Sequence, residues 1–284
     1  LQDHIRLLMR SALWAIHPKA ISVILPASRS EGPGVMWGGD GWEAAKPSVL
    51  GKGNARMAVI PIQGILGRDV PSWWGSDYDM IGNAVEAATI DPSVKRIVLA
   101  VDSPGGEVTG LPETAAILAA AAKVKPVSAI VEGMSASAAY WLTSQATDIT
   151  STPSGEVGSV GVRMMHVDVS KMLDGAGYKV TELFSGAYKT EWSPYHALTD
   201  EAKADMQGRL DSVHADFISA IVAGRGPRAS SDTVTGRFGE GRMFDAKVAM
   251  RNGMIDAVMS SREFYRAVMP KQEESPAPVQ HGLP

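Results

Sequence analysis

Apolar residues follow two rhythms along this chain, and from residue 57 to residue 185 the rhythms alternate. "KRIVLAV" at 95–101 is a nearly continuous apolar run with β-branched residues, the pattern of a strand buried on both faces. "KPVSAIV" at 125–131 has the same character, and "MAVIPIQGI" from Met57 predicts a third strand. Between them, "YDMIGNAVEAATI" sets Ile81, Ala84, Val85 and Ala88 at helical spacing and stops at Asp91-Pro92. Residues 109–123 are Ala-rich and read as a second helix. "ATDITSTPSGEVGSVGVRMMHVDV" predicts two short strands split by Gly and Pro, "SKMLDGAGY" a brief helix ending in Gly, and "KVTELF" a further strand. Then Met206, Leu210, Val213, Phe217 and Ile221 recur at steps of three and four along a long helix. Asp200 and Glu201 lie in its first turn and Arg225 just past its end, as the helix dipole favours. "FDAKVAMRNGMIDAVMSSREFYRAVM" reads as one last helical segment. This succession predicts an α/β fold with repeated βαβ units around a largely parallel sheet.

The flanks read differently. "LQDHIRLLMRSALWAIHPKAISVIL" mixes charge with apolar residues, predicting an amphipathic helix from Asp3 to about Ile16 rather than a signal peptide. Residues 27–56 are rich in Gly, Pro and Ser without a period, as in a linker or arm. The expected organisation is an N-terminal helix and arm over 1–56, a main domain over 57–265, and a polar, disordered tail over 266–284.

Composition narrows the chemistry. Of 284 residues, 45% are hydrophobic and 20% charged, as in globular proteins. The net charge of −4, with no basic stripe, argues against nucleic acid as a partner. Cysteine is absent, so disulfides, thiolate catalysis and Cys-ligated zinc are excluded. No run approaches 18 apolar residues, so no membrane span is expected.

In open α/β sheets, ligands gather where strands end and helices begin. Asp102-Ser103-Pro104-Gly105-Gly106 follows "KRIVLAV" directly. By pattern it is first of all a tight turn; its glycines also free backbone N–H groups to face an oxyanion. "MSASAAYWL" at 134–142 follows "KPVSAIV". Alone, Ser135 or Ser137 there reads as a helix cap, and either is equally a candidate nucleophile at a helix start. The Gly-x-Ser-x-Gly elbow is missing. None of the six histidines, His4, His17, His166, His196, His214 and His281, sits in a triad pattern. A lysine serves as base where burial lowers its pKa. Lys189 in "FSGAYKTEWSP" is the candidate, with Tyr188 and Trp192 near enough in sequence to desolvate it. The plain alternative is an exposed loop lysine, and pairing with Glu191 would oppose a base role.

Taken together, these segments resemble the signal-peptide-peptidase A family of serine peptidases, most closely its phage capsid-assembly (prohead) protease branch. The matching segments are Ser103-Pro104-Gly105-Gly106, then Ser135-Ala136-Ser137-Ala138-Ala139-Tyr140, then Gly158-Ser159-Val160-Gly161-Val162, then Ser185-Gly186-Ala187-Tyr188-Lys189. They lie in the family's order within residues 57–265. The resemblance implies a crotonase-like/Clp-protease-like fold of repeated ββα units and a serine endopeptidase with a Ser/Lys dyad. It makes Ser137 the nucleophile, Lys189 the general base and Ser159 the residue that orients the amine. Gly106 and Ala138 would supply oxyanion-hole N–H groups, with Gly105 allowing the turn. It further implies no metal or other cofactor, a polypeptide substrate such as phage scaffold or coat protein, and a homo-oligomer, a state in which subunits of the family can complete each other's sites. The expected location is the bacterial cytoplasm, inside a procapsid. Where cellular members carry Gly-Gly after the nucleophile, this chain has Ala138-Ala139, which bears on the width of the groove.

Three other readings remain open from sequence. One is a cellular, signal-peptide-peptidase-like protease without a membrane anchor. Another is an acyl-CoA enzyme on the same fold, with Glu107 or Glu132 over the substrate. The third is a catalytically silent, scaffold-binding head protein.

Overall fold

The computed structural model describes residues 46–270 and the backbone of Trp14–Ile16. Its centre is β5 (Val94–Glu107), a 14-residue strand flanked by β3 (Ala55–Gly67) and β6 (Val127–Ala136), all parallel. The main path of the sheet runs β10-β7-β6-β5-β3-β2, with β2 (Ser48–Lys52), β7 (Asp148–Ser151) and β10 (Ala257–Val258). Three further short strands, β4 (Gly75–Asp77), β8 (Glu156–Gly158) and β9 (Met243–Asp245), attach beside it.

Strand periodicity of two sorts β5 onto two cores. Ile97, Leu99 and Val101 point into the larger one, beneath α1 (Tyr78–Ile90) and α2 (Leu111–Val124). Val98 and Ala100 point the other way, with Met57 and Ile130, onto Phe264 of α8 (Ser261–Val268). Helix α1 begins where the Asp77 carboxylate accepts from the Asp79 and Met80 N–H groups, and ends at Asp91. Ile81, Val85 and Ala88 on it are buried, as their spacing predicts. Helix α5 (Asp200–Arg225) follows four shorter ones, including α3 (Ala138–Thr143) and α4 (Ser170–Gly175); it buries Ala202 in its first turn and joins the larger core through Phe217 and Ile221. Beyond it lie α6 (Ser231–Arg237) and α7 (Ala246–Asn252).

Several expectations are corrected. Trp14–Ile16, placed at the end of an N-terminal helix, is a strand, β1, because it pairs antiparallel with Gly105–Glu107 of β5; the rest of that helix lies outside the described residues. Part of the 27–56 arm is also ordered. Ser48–Lys52 forms an antiparallel hairpin with β3, turning where Gly51 and Gly53 hold positive φ. "KVTELF" pairs with nothing among the described residues, and Leu183 and Phe184 are exposed. The last segment is not one helix. Met243–Asp245 joins the sheet, and Gly253, with φ +86, ends α7 in a left-handed cap before β10 and α8. The tail from residue 271 lies outside the described residues.

Arg225, expected just past the helix end as a dipole partner, is the last residue of α5 and is also 1% exposed. Its guanidinium donates to both Asp256 oxygens, at 3.0 and 2.8 Å, and to the Gly253 carbonyl. Burial alone would raise the Asp256 carboxyl; the hydrogen bond and charge of Arg225, aided by the Ile149 N–H and Arg228, outweigh it and hold the group below its usual range. A depressed carboxyl stabilises above its unfolded value, about 3.9, and that stability is lost as pH falls through the lower folded value. Asp256→Ala leaves a buried cation unpaired and is expected to cost ~3 kcal/mol at pH 7. The deficit should shrink towards pH 2 in thermal melts of both proteins.

Candidate active site

The ends of β5 and β6 set the site. They run side by side as far as Ser103, which sits opposite Ser135. β6, already paired with β8 from Met134 to Ala136 (opposite Gly158), leaves β5 beyond that point and passes into α3. The Asp102 carboxylate bridges the register shift between Val101 and Ser103, just before the pairing of Ser103 with Ser135. It accepts from the Met134 N–H at 3.0 Å, and a Cβ on Gly133 would lie 2.3 Å from its Oδ1. Burial, with the charge of Glu132, raises the Asp102 carboxyl, and the Met134 hydrogen bond partly opposes that.

Ser137 stands at the turn from β6 to α3 with φ 55 and ψ −119, a conformation a non-glycine residue adopts only under constraint. The constraint is visible. The Ser137 N–H donates to the Gly158 carbonyl at 2.9 Å, and its hydroxyl donates to the Gly161 carbonyl at 3.3 Å. Segment 158–161 therefore wraps the serine from both ends. Ser159 within it also has positive φ, 56°, and its N–H donates to the Arg242 carbonyl at 2.7 Å. Only four non-glycine residues among those described have positive φ, and two are these serines. Gly158 admits no side chain, since a Cβ there would meet the Arg242 carbonyl at 2.3 Å. Behind Ser137, α3 is fixed by the Tyr140 hydroxyl on the Met254 carbonyl and by Trp141 stacked on Phe217 at 4.7 Å.

Strain of this kind costs ~1–3 kcal/mol, and only glycine escapes it. Ser137→Gly should therefore exceed Ser137→Ala in unfolding free energy by about 1 kcal/mol. Equal melting curves would mean that the turn is unstrained.

The other predicted residues fall into two groups. Ser103 is buried, donates to the Gly64 carbonyl at 2.6 Å and accepts from the Gly105 N–H at 3.1 Å, so it pins the glycine loop. Gly105 takes φ 93. Gly106 abuts β3, where a Cβ would lie 1.8 Å from the Leu66 carbonyl oxygen. Ala138 is the first residue of α3, directly after Ser137. Ser135 bonds Thr143 inside the core at 3.0 Å. Ser103, Gly105, Gly106, Ser137, Ala138 and Ser159 thus gather around the ends of β5, β6 and β8.

Lys189 does not join them in this chain. It lies exposed in a turn, and no hydrogen bond or ion pair links it to Ser137, Ser159 or Glu191 among the described residues. The aromatic neighbours expected to desolvate it are engaged elsewhere. Trp192 lies under the Arg209 guanidinium at 4.5 Å, and the Glu201 charge and hydrogen bond raise the Tyr188 phenol. Trp73 and Trp74 stack on each other at 5.8 Å; Trp74 is buried and Trp73 largely exposed. Within the same outer segment His166 bonds the Ser193 carbonyl at 2.9 Å, and His196 lies 3.7 Å from the Glu182 carboxylate.

Sequence reasoning missed the two carbonyls that hold Ser137, at Gly158 and Gly161, and the carboxylate of Asp102. Only the repeated glycines of "GEVGSVG" hinted at the first two. Among the described residues, no group of three or more His, Asp or Glu is placed to hold a metal, and no helix is long and apolar enough to cross a membrane.

Comparison with known proteins fits this geometry. The family model of peptidase family S49 matches residues 119–274. The "Head-tail preconnector protein GP5" of Enterobacteria phage P21 is 31% identical over 211 residues, 73% of this chain and 41% of that protein. The "Capsid assembly protease C" of Escherichia phage lambda is 30% identical over 213 residues, 73% of this chain and 47% of that protein. A "Putative protease" of Methanocaldococcus jannaschii is 31% identical over 71% of this chain and 64% of its own. The chain thus spans less than two thirds of the length of each of these relatives. With more than half of its residues matched by the family model, and the family's crotonase-like/Clp-protease-like α/β fold, the chain belongs to peptidase family S49.

Proposed function

We propose that this chain is a serine endopeptidase with Ser137 as nucleophile and Lys189 as general base. The observation that carries the reading is Ser137 itself. It is held strained at a strand-to-helix turn by the Gly158 and Gly161 carbonyls, beside the glycine-rich end of β5. Ser137 Oγ attacks a peptide carbonyl as the neutral Lys189 amine takes its proton. The N–H groups of Gly106 and Ala138 hold the resulting oxyanion, and Gly105 gives the loop its turn. The ammonium then protonates the departing amine, and the regenerated amine activates water for deacylation. Ser159 positions the amine. The two phage relatives favour scaffold or coat protein as substrate, within a procapsid in the bacterial cytoplasm.

The base is supplied through assembly. Segment 165–195 exposes Met165, Val167, Met172, Tyr178, Leu183, Phe184 and Tyr188, with Leu183 93% exposed, and apolar side chains exposed together mark interaction sites. A second copy of this chain covers it, burying Lys189 and bringing it to a Ser137. The test joins both claims. Lys189→Ala should slow casein cleavage by ~10²–10⁴-fold, the usual contribution of a general base. Leu183→Asp/Phe184→Asp should run as a monomer in light scattering and lose cleavage alongside. A monomeric double variant that cuts at the wild-type rate would rule out assembly of the site.

A further inference from the structure

The lane beside the glycine-rich end of β5 is already filled. From Gly105 to Glu107, β5 has β3 on one edge, Ile65 opposite Gly105 and Leu66 opposite Gly106. The other edge belongs to β6 only up to Ser103. Past the divergence, β1 takes that place, antiparallel, with Ile16 opposite Gly105, Ala15 opposite Gly106 and Trp14 opposite Glu107. An extended peptide adding to a sheet edge binds through its main chain, which any sequence provides. Here the edge leads to the nucleophile. Chain direction in β1 runs from the level of Glu107 towards that of Ser103, which lies across from Ser135, two residues before Ser137. A substrate on this edge, in the same direction, would lay its acyl side along Gly105–Glu107 and carry its next peptide bond towards Ser137.

A second observation agrees. Ser137 is 1% exposed and Ser159 5% exposed. A polypeptide carbonyl therefore reaches the hydroxyl only if something in this arrangement moves.

We propose that β1 is an intramolecular competitor of the substrate, seated in the lane that the substrate's backbone must occupy, so that cleavage requires β1 to leave. This rests on the reading of Ser137 as nucleophile. It makes the N-terminal segment a regulatory element, and it assigns the edge Gly105–Glu107 a partner class: extended polypeptide, bound antiparallel through its backbone.

The test uses the full chain and a peptide boronic acid, acetyl-Trp-Ala with a C-terminal boronate analogue of isoleucine. It forms a reversible covalent bond to a serine nucleophile and repeats the backbone of β1. Hydrogen exchange is followed by mass spectrometry with and without the probe. The expected result is an adduct on Ser137 with amides at 14–16 exchanging faster, while those at 105–107 remain slow because the probe replaces β1. Ala15→Pro, which breaks strand pairing, should react about tenfold faster if β1 is seated in about nine molecules of ten. An adduct on Ser137 with protection at 14–16 unchanged would overturn the proposal and leave the nucleophile standing. No adduct in either protein would remove the nucleophile reading, and the competitor with it. The exchange measurement on wild type stands even if Ala15→Pro does not fold.

Discussion

Replacing Ser137 by alanine leaves casein uncut: the expected loss is ~10⁴-fold or more in kcat, since removing the nucleophile of such a unit discards nearly everything the unit does. The structure makes this a clean substitution. Alanine keeps the Cβ, the strained backbone and the N–H bond to Gly158, and loses only the hydroxyl that donates to Gly161. Fold and assembly should therefore match wild type in melting temperature and light scattering, so lost cleavage reports chemistry. Ser135→Ala is the matched control. That hydroxyl bonds Thr143 in the core, and its loss should cost ~1 kcal/mol of stability while leaving the rate within a few-fold. If the two variants exchange these outcomes, the nucleophile is misassigned.

The second large effect is at Gly106. A Cβ there would lie 1.8 Å from the Leu66 oxygen, 2.5 Å from its carbonyl carbon and 2.6 Å from its nitrogen. All three are backbone atoms of a paired strand, so no side-chain rotation relieves the clash; the end of β5 must move off β3. Moving it displaces the N–H that the mechanism assigns to the oxyanion, and a lost oxyanion donor costs ~10²–10³-fold in kcat. Gly106→Ala should show that loss in kcat with a smaller change in KM, plus ~1–3 kcal/mol of destabilisation from overpacking. Gly175→Ala, where a Cβ meets nothing within 4 Å, should do neither. Steady-state kinetics on a fluorogenic peptide, with melting curves on the same samples, separates the two components.

What the sequence made legible follows from where the physics is local. The strand "KRIVLAV" announces itself because both its faces are buried, and α1 because Ile81, Val85 and Ala88 share one face between Asp77 and Asp91. The glycine loop, the Ser137 turn and the 158–161 segment were recognisable as motifs, and the fold brings them together. What was not legible depends on partners distant in sequence. Trp14–Ile16 is a strand only because β5 offers an edge, and Ser48–Lys52 only because β3 does. "KVTELF" has strand-like residues but no neighbour in the described chain to pair with. Arg225 read only as a partner of the helix dipole, because the carboxylate it is buried against, Asp256, lies 31 residues on. Lys189 is the sharpest case. The motif places it at the site, whereas the single chain leaves it exposed in an outer turn, which is why assembly enters the account.

If Ser137 is the activated nucleophile, a serine-directed fluorophosphonate attaches there. The assembled wild-type protein would be labelled, digested and sequenced by tandem mass spectrometry, alongside Lys189→Ala. One modified residue, Ser137, is expected, with labelling that slows sharply in Lys189→Ala. A modification on Ser135, Ser159 or any other serine, or labelling of Ser137 at the same rate without Lys189, would contradict it.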